Sequence, residues 1–324
     1  MISNIFILAS SRSGSTLLNS ILNEHQSIIG LNELHYFDKI NTSPNKILNK
    51  DLIISYSSKL FSIYNRDSWA NIDDRDINDA NKFISSLNHT QINGFQLYRK
   101  FTAYISNINN VNYIVDQTGK YIHFFKGIRS NLENAKFIYI YRDPRAVMLS
   151  QKFRWKIRFR GSENVPLIDS ARTFANYHPI TISYLWNLDN NILDESNSSI
   201  LFVSYEDLIE SPSKQIKLIC NFLGINFDKK MLKIKQITSS HISDGVKTGF
   251  VRDNISTWKN KLSKTEIWIN QKINSLLMEK LNYKKIDIYP NILHLLFIIL
   301  YFPIHIILMI IINFKNVLSV FKKK

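Results

Sequence analysis

A chain of 324 residues with 45% apolar and 12% aromatic side chains can bury a large core, which excludes a disordered protein and leaves room for one large domain or two small ones. Its formal net charge of +15 calls for an anionic partner: nucleic acid, a membrane surface or a small polyanion. No zinc-finger spacing, RNA-binding signature or basic block with interleaved aromatics is present, which puts nucleic acid last, and the single Cys220 excludes an internal disulfide and a cysteine-rich metal site.

Met1 runs almost directly into the apolar run Ile5–Ala9, so no signal peptide is expected, and the lone cysteine fits a reducing compartment. That run reads as a buried strand. It breaks into the hydroxyl-rich stretch "SSRSGST", residues 10 to 16, and apolar periodicity resumes near Ser15 as a helix. Such a turn presents backbone N–H groups and the positive end of a helix dipole, a seat for phosphate or sulfate. Gly14 permits close backbone approach, Ser13, Ser15 and Thr16 add hydroxyls, and Arg12 adds a permanent charge with a fork of donors. The triphosphatase pattern GxxxxGK[ST] is not met, because the first Gly and the Lys after Gly14 are both missing.

Residues 41 to 90 are polar and irregular and read as a helical insertion or lid. Short runs at Tyr113–Val115, Phe137–Tyr141 and Ile200–Val203 read as further strands buried on both faces. One helix follows Pro144. Another spans Pro212–Leu223, with Pro in its first turn and Gly224 just past its end. A third opens on the capping box Ser263-x-x-Glu266 and runs to about Leu281. Alternating strands and helices imply an α/β fold with a central parallel sheet and flanking helices.

The run Phe137–Tyr141 leads into Arg142-Asp143-Pro144-Arg145, placing Arg142 at a strand's C-terminal end, where open α/β sheets bind ligands. Ser150 lies eight residues on, and Arg154 one helical turn further on the same face. Arg142, Ser150 and Arg154 would form a second anion pocket; the alternative is a plain Arg145–Asp143 surface pair at a helix start.

From Ile292 to Ile312 only His294, Pro303 and His305 are not plainly apolar. The run is long enough to cross a bilayer and apolar on every face, so membrane association through residues 292–314 is expected, with a buried C-terminal helix as the alternative. Lysines 284 and 285 precede it and lysines 315, 322, 323 and 324 follow, so charge sets no orientation. Pro303 would kink the helix or split it into a re-entrant pair. The expected division is a domain over 1–288 and an apolar tail over 289–324.

These motifs together resemble the sulfotransferases that use 3′-phosphoadenosine 5′-phosphosulfate (PAPS). "SRSGSTLL" is similar to the family's 5′-phosphosulfate loop and "RDPRAVMLS" to its 3′-phosphate motif. "VSYEDLIESPSKQIKLICNFLGI" resembles the YEDL segment, and "VRDNISTWKNKL" the C-terminal segment in which an Arg is followed by a Trp. The resemblance covers most of residues 4 to 262 and implies a P-loop NTPase-like sulfotransferase fold. It implies that Arg12, Ser13, Gly14, Ser15 and Thr16 hold the 5′-phosphosulfate. Arg142 and Ser150 would hold the 3′-phosphate with support from Arg154. Arg252 would complete that site, although its spacing to Trp258 is one residue shorter than in cytosolic members. Tyr205 would lie near the nucleotide.

Glu33 in "IIGLNELHYF" stands at the same distance from the loop arginine as the catalytic Glu of tyrosylprotein sulfotransferases, which makes it the expected base. His35 is the rival, since cytosolic relatives use a His from another segment. Many relatives carry a Lys after the Asp of the segment "VDQTGKY", where Gln117 stands here; Lys120 or Arg12 alone would supply that charge. No metal-ligand cluster is present, and a sulfuryl group carries less charge than a phosphoryl, so no metal is expected. The resemblance implies PAPS-dependent sulfation of a hydroxyl; the apolar tail suggests a glycan or lipid-linked acceptor, and the expected lack of a signal peptide and the lone cysteine suggest the cytoplasmic side of a membrane. Two alternatives stay open: a P-loop kinase or triphosphatase with Asp143 as a Walker-B-like residue, and a non-catalytic nucleotide-binding membrane protein.

Overall fold

A computed structural model describes residues 3–67, 70–87, 91–156, 167–190, 199–234, 250 and 255–314. The chain runs through β1 (Ser3–Ala9), α1 (Ser15–Asn23), β2 (Ile28–Leu31), α2 (Lys50–Asn65), α3 (Asp74–Ser85), α4 (Gly94–Asn109) and β3 (Tyr113–Asp116). Then come α5 (Phe125–Asn131), β4 (Lys136–Tyr141), α6 (Pro144–Lys152), α7 (Leu167–Ala175), α8 (Pro179–Asp189) and β5 (Ile200–Ser204). The last elements are α9 (Tyr205–Glu210), α10 (Pro212–Leu223), α11 (Trp258–Lys261), α12 (Lys264–Ile273), α13 (Ser275–Lys280) and α14 (Ile292–Ile312). They form two compact units, one of Met1–Tyr141, Ile192–Gln236 and Thr248–Phe250, the other of Arg142–Asn191, Ile237–Lys247 and Val251–Lys324.

The first unit holds a five-stranded sheet in the order β2-β3-β1-β4-β5. Every pairing is parallel, with Phe6 in register with both Asp116 and Phe137, and Leu31 with Asp116. In a parallel sheet all strands end on one edge, so the loops after β1, β2 and β3 open together. Ile5, Phe6, Ile7 and Leu8 are wholly buried, as a central strand covered on both faces requires. Phe6 stacks on Phe137 at 5.4 Å and on Tyr98 of α4 at 5.8 Å. Leu60 and Phe61 of α2 and Ala80 and Phe83 of α3 enter the same core, so the two helices within 41–90 are packed into it. β2 has no counterpart in the sequence reading. It is four residues long and contains Gly30, where a Cβ would collide with the Asn19 side chain.

In the second unit Met148 and Leu149 of α6 pack with Ile182 of α8, Trp258 of α11 and Ile267 of α12. The capping box forms as expected: Ser263 Oγ accepts from Glu266 N and the Glu266 carboxylate accepts from Ser263 N. That carboxylate also accepts from Lys152 Nζ at 2.8 Å and from Tyr177 OH at 2.5 Å. Burial works against its charge, but these donors hold its pKa below the usual carboxylate range. The helix expected to reach Leu281 is divided at Asn274 into α12 and α13. α14 continues through Pro303 as one helix, and the re-entrant split does not occur.

Candidate active site

The chain leaves β1 at Ala9 and turns tightly before α1. Ser13 is buried, its hydroxyl 2.7 Å from Ser10 Oγ and its N–H donated to Ser10 O, so its polar groups shape the loop from inside. Arg12 (φ 72°) and Gly14 (φ 104°) take left-handed backbone conformations. At Gly14 a Cβ would stand 2.5 Å from Tyr205 Cδ2, so the ring of Tyr205, buried at the start of α9, closes one side of the loop. Gly14 is the N-cap of α1 and no side chain caps the helix, which leaves its first-turn N–H groups without a side-chain acceptor there. Arg12 and Ser15 are half-buried and Thr16 is exposed. A loop with a short Gly approach, hydroxyls, an arginine and an uncapped helix start suits an anion.

The chain after β2 builds the second element of the site. His35 is left-handed at φ 51°, and the wide turn Tyr36–Ile40 brings the N–H groups of Lys39 and Ile40 back to its carbonyl oxygen. This return places Asp38 against the His35 ring, with Nδ1 3.0 Å from Asp38 Oδ2. The other ring nitrogen, Nε2, lies 3.1 Å from Glu33 Oε2. The His35 and Asp38 side chains keep 11% and 8% of their exposure while Glu33 keeps 46%, so the row runs from the interior to solvent. Burial opposes the charged imidazole, but the hydrogen bonds to Asp38 and Glu33 outweigh it and raise the His35 pKa above 6.5. Burial also opposes the Asp38 charge, yet His35, Lys39 and Lys120 together hold its pKa below the usual carboxylate range.

A buried carboxylate on the adjoining strand fixes this arrangement. Asp116, the last residue of β3, accepts from Thr118 N at 3.0 Å, from Thr118 Oγ1 at 2.6 Å and from Tyr98 OH at 3.1 Å. Thr118 Oγ1 in turn accepts from His35 N at 3.2 Å. Burial pushes the Asp116 carboxyl up to about 6, against the pull of those donors. Tyr121 OH accepts from Tyr36 N at 2.7 Å, a second tie across the same turn. Gly119 passes so close to Ala9 that a Cβ there would lie 2.8 Å from its carbonyl oxygen. Lys120 is exposed and acts on Asp38 through its charge, while Gln117 is buried.

In the second unit Asp143 caps α6 by accepting from Arg145 N, and its two oxygens receive Arg145 Nε at 2.9 Å and Nη2 at 2.7 Å. Arg145 also donates to Gln271 Oε1 and Lys284 O, and its guanidinium lies 4.0 Å over the Trp258 ring. The pair is buried, unlike the surface pair of the alternative reading, and Asp143 is committed to Arg145 where a Walker-B-like residue would face a metal. Arg142 is buried and its carbonyl accepts from Trp186 Nε1. Ser150 is buried in the last turn of α6, whereas Arg154 lies exposed beyond the helix end, so the two do not share one α-helical face. Arg252 lies outside the described residues.

Residues 4–229 match the model of the family described as "Sulfotransferase family". The chain belongs to the sulfotransferase family. Two solved structures share this sulfotransferase's fold. The sulfotransferase domain from the curacin biosynthetic pathway is 18% identical with a TM-score of 0.52, covering 88% of this chain and 99% of that one. The sulfotransferase domain from the Synechococcus PCC 7002 olefin synthase is 20% identical with a TM-score of 0.51, covering 87% and 95%. The parallel sheet and its flanking helices are therefore those of a sulfotransferase, and the kinase reading falls away. Asp38 was not foreseen as part of the site. Only the left-handed backbone at His35 brings it there, and no residue spacing announces that.

Proposed function

We propose that this sulfotransferase moves the sulfuryl group of PAPS to a hydroxyl of a glycan or lipid-linked acceptor at the cytoplasmic face of a membrane. The observation that carries the mechanism is the row Asp38–His35–Glu33, opening on the same sheet edge as the anion-binding loop. The loop fits a phosphosulfate: Gly14 leaves room against Tyr205, α1 starts uncapped, and Arg12 adds charge. When bound, PAPS supplies an activated sulfuryl group, whose bond to the phosphate oxygen breaks as the acceptor oxygen bonds to sulfur.

The protein's own part is positioning, charge and one proton. Arg12, Ser15 and Thr16 bind the 5′ end, Ser13 keeps the loop in shape, and Arg142 and Ser150 take the 3′-phosphate, with Arg154 and Arg252 in supporting roles. Lys120 adds charge where Gln117 supplies none.

Asp38 is ionised at neutral pH and can only accept, so His35 Nδ1 carries a hydrogen. Nε2 and Glu33 then share a single proton site. With that proton gone, a lone pair faces a carboxylate, and the pair has high affinity for the proton of the acceptor hydroxyl. Glu33, the exposed end, meets the acceptor, and His35 receives the proton behind it.

The reading is tested by incubating the purified protein with PAPS and a membrane extract and following sulfate into lipid- or glycan-bound product. Transfer that is lost in Arg12→Ala supports it. Absence of transfer to any acceptor, with PAP (3′-phosphoadenosine 5′-phosphate) still bound, would favour a non-catalytic binding protein. Residues 289–324 are the part we assign to the membrane, the only described portion of it long and apolar enough being α14.

A further inference from the structure

The two sides of α14 differ. Its inner side carries Ile298 and His305, both buried, with Tyr301, Phe302 and Met309 half-buried. His305 Nε2 lies 3.2 Å from Thr181 Oγ1 of α8, and the His305 ring stacks on that of His178 at 4.8 Å. At the end of the helix, Arg172 of α7 donates to Ile312 O at 3.4 Å, and Asn313 Nδ2 donates to Asn176 Oδ1 at 2.8 Å. Burial and the neighbouring His305 pull the His178 imidazole down to about 4, so His178 is uncharged at neutral pH.

The opposite side carries Leu293, Leu296, Phe297, Leu300, Ile304, Ile307, Leu308 and Ile311, all exposed. Their spacing of three, four and seven residues puts them on one stripe. α7, against which α14 is held, also leaves Leu167, Ile168 and Phe174 exposed. Apolar surface of this extent marks an interaction face.

We propose that α14 lies in the plane of a bilayer surface, docked on the second unit with its apolar stripe sunk into lipid, and does not cross the membrane. The inference rests on the membrane reading above and settles its geometry. At 1.5 Å per residue the helix is about 30 Å long, so spanning would consume all of it. Its docked contacts run from Ile298 to Asn313, and crossing would have to break them, leaving His305 in hydrocarbon. Lying flat keeps every one of them, and the domain supplies the polar side that the helix alone lacks. It also keeps Lys284 and Lys285, just before the helix, at headgroup level, where anionic lipid attracts them.

The test labels Leu293→Cys, Leu300→Cys and Ile307→Cys, one at a time in the full chain, with an environment-sensitive fluorophore. Each site is exposed, at 79%, 73% and 59%, so labelling does not disturb the fold, and Cys220, buried with its thiol pushed up to about 11, does not compete. The protein is bound to phosphatidylcholine–phosphatidylglycerol vesicles carrying lipid quenchers at two depths. The expected result is one shallow depth for all three probes. A spanning helix would separate successive probes by about 10 Å, with Leu300→Cys deepest, which overturns the in-plane seat but leaves the membrane reading standing. Failure to sediment with vesicles, or burial of the probes in a concentration-dependent dimer, overturns both.

Discussion

His35 Nε2 stands 3.1 Å from the Glu33 carboxylate, and the same ring is held from behind by Asp38 at 3.0 Å. The pair couples a half-exposed carboxylate to a buried imidazole, and under the proposed mechanism its proton affinity is set by residues behind the acceptor site. The pH profile follows. The active form is the deprotonated pair, so kcat/KM rises with pH through an apparent pKa above the 6.5 of free histidine. Asp38→Asn keeps an acceptor for His35 Nδ1 but removes a charge that raises the His35 pKa, and its rising limb moves to lower pH. A rate profile of the two proteins checks this; coincident limbs would remove Asp38 from the account. The stability sign is separate: a raised imidazole pKa contributes stability that is present below 6.5 and is lost as pH rises through the folded value.

Asp116 acts on stability in the same sense, at lower pH. Its folded pKa of about 6 lies above the unfolded 3.8, so stability falls as pH rises between those values, by a total on the order of 3 kcal/mol. Asp116→Asn keeps an acceptor for Thr118 and cannot ionise. Urea denaturation from pH 4 to 7 should show the slope flattened in the variant. An unchanged slope would assign it to other carboxylates.

Gly14→Ala places a methyl group against Tyr205 in a left-handed conformation. We expect a stability loss of about 1–3 kcal/mol and weaker binding of PAP, measured by denaturation and calorimetry. Gly224→Ala is the control, because Gly224 also has positive φ, at 74°, but nothing lies within 4 Å of its would-be Cβ. It should lose stability without losing PAP affinity.

Arg145→Ala leaves the Asp143 carboxylate buried without its fork and exposes one face of Trp258. The expected loss is about 3–5 kcal/mol in unfolding free energy. A folded, fully stable variant would mean that the pair is dispensable to the second unit.

Much of this was readable from residues alone, and what escaped has physical causes. The strands β1, β3, β4 and β5 are short apolar runs, and the loop at Arg12–Thr16 announces itself by composition. β2 hides because Gly30 weakens a four-residue strand in order to admit Asn19. α4 opens on a capping box, Asn93 with Gln96, in a chain so rich in Asn that the signal drowns. Phe61 and Phe83 of α2 and α3 are core residues set among Ser, Asn, Asp and Lys, so the segment reads as a polar insertion. Glu33 and His35 were legible as rival bases. Their pairing was not, because it depends on one left-handed residue and the Asp116–Thr118 tie beneath it.

The central claim is that the Glu33–His35 pair takes the acceptor's proton. Single-turnover transfer from labelled PAPS, run with Glu33→Gln beside the unaltered enzyme and with PAP affinity measured in parallel, tests it most directly. The account predicts transfer slowed by about 10²–10⁴-fold with PAP affinity unchanged. Transfer by Glu33→Gln at the rate of the unaltered enzyme would contradict it.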